Sequence, residues 1–281
     1  MQTNYPLPDW NTLAAYGDDE LPLLDTALLI ARDEYPSLDA ASYAATIQGY
    51  ADELKPKLPA GADLPATLTA INRYLFDELG FAGNNTQYDD PRNSYLNEVF
   101  DRKLGIPISL AVVQIELTRR LGLPLDGISF PGHFLVRLPV DDGILVMDPY
   151  NKARPVSAEE LKERASPHLG GQAPDDLQLI EILAPATHRM ILARMLRNLN
   201  GLYLERADWE RVARTADRLL KISPEAAEAL RDRGLAYREL GYAKGAREDL
   251  TRYLQVLPNA EDVEAVRAAL IEVSGSRSLL N

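Results

Sequence analysis

The 281-residue chain contains no cysteine. That absence excludes disulfides, thiolate metal sites and any thiol nucleophile. Nor does it carry a run near the roughly 18 to 20 apolar residues that a membrane-spanning helix needs. Positive charge is scarce. Thirty Lys and Arg face forty-two Asp and Glu, a formal net charge of -12 with a pI near 4.8, which argues against sequence-independent binding to phosphate backbones and hence against a nucleic-acid partner. Three histidines leave little material for a metal centre, and His168 and His188 show no metal-ligand spacing, so both read as surface residues. No metal and no cofactor are expected. The opening residues MQTNYPLPDWN show neither a basic region nor an apolar one, so no signal peptide is expected and a cytoplasmic protein is.

What is present divides into three parts. Residues 1–19 carry Pro6, Pro8 and Gly17 and read as a loosely held lead-in. Leu24, Ala27, Leu28 and Ala31 then recur at helical steps, which predicts an amphipathic helix over 21–34. A second helix runs over 40–54 behind Ser37 or Asp39 as cap. A third spans 65–79, with Pro65 in its first turn and Gly80 stopping it. The first region, 1–80, is expected to be helical.

The region 81–183 holds the chemistry. Its GFAGNNTQYDDPRN segment is turn-rich; a short helix then runs to Phe100, and a helix over 107–121 is apolar on most sides. LDGISF, HFLVRLPV and GILVMD are short β-rich runs, the last two joined by VDDG, with Asp142-Gly143 as the hairpin signal. His133 opens one of these strands and Asp148 closes the next. Pairing about Asp142 brings position 133 near 151, within reach of Asp148. A carboxylate on one imidazole nitrogen fixes the tautomer and makes the other nitrogen a better base. The same pair can equally be a tie between two strands.

A nucleophile would belong at the start of the 107–121 helix, where unpaired N–H groups stabilise an anion. Ser109 is the one hydroxyl there. It serves either as nucleophile with His133 and Asp148 or as a first-turn residue bonded to local backbone. Asn93 and Asn97, four residues apart, either line the same cleft as oxyanion or carbonyl donors, or act as a cap and a buried brace for residues 81–92. Arg137 is either an anion anchor beside His133 or the partner of a nearby acid.

The last region, 184–281, repeats. Pro224 and Pro258 stand 34 residues apart, and at that offset Tyr203 matches Tyr237, Ala207 matches Gly241 and Leu220 matches Leu254. A 34-residue helix-turn-helix period closed by proline resembles the tetratricopeptide repeat; a plain helical bundle is the alternative. Such repeats form a groove for extended segments. Arg211, Arg214 and Arg218, with Arg206, Arg231 and Arg233, either favour an acidic peptide end or form a solvated face laced with Glu and Asp.

Leu121-Gly122-Leu123-Pro124, His133-Phe134-Leu135-Val136 and Met147-Asp148-Pro149 together resemble the core of the transglutaminase-like, papain-type superfamily. NSYLNEVFDRKLGIPISL, PGHFLVR and MDPYN resemble its SirB-type branch more closely. The resemblance implies an α+β fold: a helical N-terminal region, a core with a small antiparallel sheet, and tetratricopeptide-like helices. It carries over His133 and Asp148, and lays the superfamily's thiol position on Pro107, or with a shift of one or two residues on Ile108 or Ser109; none is a cysteine, and Pro107 has neither nucleophile nor N–H. The resulting expectation is a non-catalytic or vestigial member that binds a protein or peptide through the core cleft or the repeat groove. The alternative is an amide hydrolase or acyltransferase using Ser109, His133 and Asp148.

Overall fold

Two compact units make up the chain, Met1–Pro8 with Gly17–Leu192 and Asp9–Tyr16 with Ala193–Asn281. The structure, a computed structural model, describes residues 6–59 and 61–275. The N-terminal helices and the core fall in the first unit, and residues 9–16 fall with the repeats in the second. The lead-in is correspondingly less loose than expected, with Leu13 fully buried and Trp10 nearly so.

In the first unit, α1 (Leu23–Arg32), α2 (Ala40–Leu54) and α3 (Leu64–Arg73) come first. Expected to be amphipathic, α1 is buried on nearly every side from Leu23 to Ala31. Asp39 caps α2 by accepting from Ala41 N, and Asp63 caps α3 by accepting from Ala66 N. Instead of continuing as one regular helix to Leu79, α3 widens into a π-helical turn over Tyr74–Glu78 that puts Tyr74, Leu75 and Phe76 into the core.

Then follow β1 (Ala82–Gly83), α4 (Leu96–Arg102), β2 (Leu104–Gly105) and α5 (Pro107–Arg120). The parallel pairing of β1 with β2 was not expected from such short segments. As the apolar pattern implied, α5 is buried from Pro107 through Thr118. The antiparallel sheet has the order β3 (Asp126–Ile128), β4 (Leu135–Val140), β5 (Gly143–Asp148), β6 (Arg154–Pro155). Val140 pairs with Gly143, so the hairpin turn is Asp141-Asp142 rather than Asp142-Gly143. Both aspartates keep negative φ, while Gly143 takes φ 145° beyond the turn. The helices α6 (Ala158–Ala165) and α7 (Asp176–Ile182) complete an apolar cluster with the sheet: Ile128, Leu135, Val146, Leu161, Leu179 and their neighbours.

In the second unit the 34-residue period is visible in the helix ends. α8 (His188–Glu205) and α10 (Ala227–Glu239) end 34 residues apart; α9 (Trp209–Ile222) and α11 (Ala243–Val256) start and end at that offset. α12 (Val263–Gly275) closes the stack by placing Val266 and Ala269 on Leu230, Leu250 and Tyr253. Each repeat turns on one left-handed residue, Ala207 at φ 52° and Gly241 at φ 78°.

Candidate functional site

His133 lies two residues before β4 rather than inside a strand. The Phe130–His133 turn is closed by His133 N donating to Phe130 O, and Gly132 takes φ 67°. A Cβ on Gly132 would overlap the His168 imidazole. His168, though exposed, is thus seated against the turn that aims His133. The third histidine is not a plain surface residue either: His188 is half-buried, with Nδ1 2.8 Å from Leu21 O.

His133 Nε2 lies 2.8 Å from Asp148 Oδ1, the pairing read from the hairpin. Asp148 is fully buried, whereas the His133 side chain keeps 22% of its surface exposed. Three more donors converge on the carboxylate: Tyr150 N at 3.1 Å, Asn151 Nδ2 at 2.8 Å and Arg164 Nη1 at 3.0 Å. Burial alone would raise the Asp148 pKa; the bond and charge of His133, with Asn151 and Arg164, outweigh it and hold the carboxyl well below its usual range. Arg164 is steadied in turn by Glu160, at 2.6 Å. Arg154 and Arg164 together keep the Glu160 carboxyl down at about 2.

Tyr150 and its loop were missed in the sequence. Lys152 and Ala153 take left-handed backbone at φ 57° and 54°, folding Pro149–Asn151 back over Asp148. The Tyr150 ring stands edge-on to His133, at 6.3 Å and 88°, and to exposed Tyr88 at 5.8 Å. On its other side it meets Gly83, where a Cβ would be 2.5 Å from the ring. Through β1, β2 and Gly83 the start of α5 is brought to this loop. Arg164 left no signal in the sequence. Asp148-Pro149-Tyr150-Asn151 did, because an aspartate that accepts from the N–H two residues on is a common turn.

Ser109 does not meet His133. It is fully buried; its Oγ lies 2.6 Å from Asn93 O and accepts from Ile106 N at 3.1 Å. Among the described residues no hydrogen bond joins it to His133. The local-backbone role holds because an N3 serine can reach back to the residue before the helix. Pro107 occupies the first turn of α5 and is buried.

Asn93 is a brace and not the cap of α4, which begins three residues later. Its Oδ1 accepts from Asn84 Nδ2, and its Nδ2 donates to Gln87 O and Tyr88 O. Asn97 is buried, with Oδ1 unpartnered. Arg137 is engaged with Leu183 and Asp126: Nη1 donates to Leu183 O at 2.6 Å, and Nε lies 4.0 Å from Asp126.

The repeat arginines are engaged within the chain. Arg211 donates to Asp208 at 2.7 Å and lies over the Tyr203 ring at 5.7 Å. Arg218 lies 4.8 Å over Trp10 and bonds Asp217. Arg231 bridges Asp232 and Asp262, and Arg233 bridges Asp217 and Asp249. Arg214 is half-buried. Of the two readings of these arginines, the face laced with carboxylates describes Arg211, Arg218, Arg231 and Arg233, whose partners come from the same helix or cap at Arg211 and Arg218 and from neighbouring segments at Arg231 and Arg233. No group of three or more candidate ligands could hold a metal among the described residues, and no described helix is long and apolar enough to cross a membrane.

The chain matches the transglutaminase-like superfamily over residues 41–197 and the tetratricopeptide repeat over 199–271. It is 60% identical over 271 residues to a UPF0162 protein of Xylella fastidiosa (strain 9a5c), covering 96% of each chain. Protein YchA of Escherichia coli (strain K12), also a UPF0162 protein, is 25% identical over 281 residues, 96% of this chain and 99% of YchA. A shorter likeness, 34% over 111 residues, reaches F-box only protein 21 of Mus musculus, covering 36% of this chain and 18% of that protein.

Proposed function

We propose, on the premise that the chain belongs to the transglutaminase-like superfamily and carries tetratricopeptide repeats, that it is a non-catalytic member which binds a protein or peptide as an adaptor or regulator. The observation that carries this reading is the start of α5. Where a nucleophile is required, Pro107 has no reactive group and Ser109 has its hydroxyl turned into the chain. His133 and Asp148 persist as an oriented pair. With Nε2 held by the carboxylate, Nδ1 is the ring nitrogen left to hydrogen-bond an extended segment beside Tyr150. The residue pattern from Asn93 to Asn151 favours the SirB-type branch, and the reading carries a cytoplasmic location with it. The serine-based alternative, an amide hydrolase or acyltransferase working through Ser109, His133 and Asp148, has the burial and bonding of Ser109 against it.

The test is affinity capture with the tagged full chain and its His133→Ala form, with intact-mass measurement of what is retained. The reading predicts a stoichiometric partner held by the wild type with its mass unchanged. A partner that leaves cleaved or acyl-modified from the wild type, and unmodified from His133→Ala, would overturn it.

A further inference from the structure

A cavity of about 230 Å³ lies in the first unit, built from four stretches of chain. Ile115 of α5, Leu125 at the entry to β3 and Ile191 of α8 give it a buried apolar floor. Ala186 closes one side by pairing with Gly127, its N donating to Gly127 O at 2.8 Å. Asp19, Asp126 and His188 supply its titratable groups.

The polar groups of the lining are unequally satisfied. Thr187 Oγ1 accepts from Met190 N at 3.2 Å. His188 Nδ1 donates to Leu21 O at 2.8 Å, because a carbonyl oxygen can only accept; in the neutral ring Nε2 is then an acceptor. Among the described residues Nε2 has no partner, and neither carboxylate accepts a hydrogen bond. Asp126 has only Arg137 Nε at 4.0 Å, beyond hydrogen-bond reach, and Arg137 commits Nη1 to Leu183 O. Arg189, next to His188 in the chain, is held by Asp18 at 2.7 Å. Burial raises the Asp126 carboxyl above its ordinary value; Arg137 takes back only part of that, and the charge of Asp19 adds to it. Two carboxylates thus line one cavity with no cation of the described chain hydrogen-bonded to either.

The ligand class follows from donor count and size. Three acceptors beside an apolar floor match a group with several donors, no acceptor and an apolar stem, and a primary ammonium has three donors and no acceptor. Asp19, Asp126 and His188 do not form a group that could hold a metal ion. A metal needs its ligands within about 2.0–2.6 Å of one point, whereas an ammonium reaches each acceptor across about 2.7–2.9 Å. The volume falls below the roughly 300–1,000 Å³ of sites for drug-sized ligands and suits a chain of a few methylenes.

We propose that this cavity binds a primary ammonium on a short apolar stem, the stem lying on Ile115, Leu125 and Ile191 and the ammonium between Asp19, Asp126 and His188. A free alkylamine and the lysine side chain of a polypeptide share that chemistry. The site is separate from the His133 pair and does not depend on the reading given for it.

The experiment titrates the full chain, 13C-labelled at the isoleucine δ1 methyls, at pH 8, where an ordinary imidazole is neutral. The probes are n-butylammonium, Nα-acetyl-lysine N-methylamide, n-butyltrimethylammonium and 1-butanol. The first is expected to shift Ile115 and Ile191 saturably, with Ile47 of the N-terminal helices as the unmoved control. The last two keep the stem but lack the charged N–H donors, and should leave all three in place. A response confined to n-butylammonium assigns a free amine; one that includes the capped lysine assigns a polypeptide side chain. Asp19→Asn and Asp126→Asn, both at positions open to solvent, should each weaken binding by about fivefold. No saturable shift with either primary ammonium, an equal shift with the trimethylammonium or the alcohol, or unchanged affinity in both variants would overturn the proposal.

Discussion

The Tyr150 ring lies against Gly83 so closely that no side chain could be added at residue 83, and the same ring stands edge-on to His133. The glycine of a two-residue strand thereby sets the position of the aromatic wall beside the imidazole. Gly83→Ala should overpack this contact and cost about 1–3 kcal/mol in urea unfolding. It should also move the His133 ring resonances, which a purely local loss of stability would leave unchanged.

Asp148 ties four donors into one buried point. Replacing it with alanine leaves Arg164 with Glu160 alone and removes the charge that orients His133, so Asp148→Ala should destabilise the chain by about 3 kcal/mol at pH 7. Because the folded-state pKa is held below the unfolded value of about 4, the carboxylate stabilises the fold at pH above that value. Its contribution is lost progressively as the pH falls below it. The gap between wild type and Asp148→Ala, measured by denaturant unfolding, should therefore narrow between pH 5 and about 2. A gap that widens in acid would contradict the assignment.

Arg164→Gln keeps a donor but removes the charge from Asp148 and Glu160. It should cost about 1.5–3 kcal/mol and change the NMR signature of the His133 Nε2 proton. Unchanged His133 resonances would mean that Arg164 holds the α6 helix without positioning the imidazole.

Much of this arrangement was legible in residues close together in the chain. The His133–Asp148 pairing followed from strand alternation and a short turn, although the turn falls one residue earlier than the Asp-Gly signal implied, because two aspartates in ordinary backbone close it and Gly143 serves the strand beyond. The repeats were legible through the 34-residue period, which matched Ala207 with Gly241, although the left-handed backbone the two share was not. Contacts between residues distant in sequence were not. Arg164 reaches Asp148 from the helix after the sheet, Gly83 reaches Tyr150 from a strand too short to show a period, and the arginines of α9 and α10 meet carboxylates that composition alone leaves unpaired. The widening of α3 into a π-helical turn also escaped notice, since its apolar pattern differs little from a regular helix.

Ala207 tests the repeat turn. Holding alanine at φ 52° carries a steric cost that glycine lacks, and the gain is partly offset by the greater freedom of glycine in the unfolded chain. Ala207→Gly should stabilise by about 0.5 kcal/mol, and Gly241→Ala should destabilise by about 1 kcal/mol. Equal effects of the same sign in thermal unfolding would contradict the shared conformation.

The central claim is that the hydroxyl of Ser109 belongs to the fold and not to chemistry. The most direct measurement is intact-mass analysis of the full chain and Ser109→Ala after exposure to a fluorophosphonate at pH 8. The account predicts no adduct on either protein, together with a loss of about 1 kcal/mol of stability in Ser109→Ala as Ile106 N and Asn93 O lose the hydroxyl that bonds both and keep only their longer contact with each other. A stoichiometric adduct on the wild type that disappears in Ser109→Ala would contradict it.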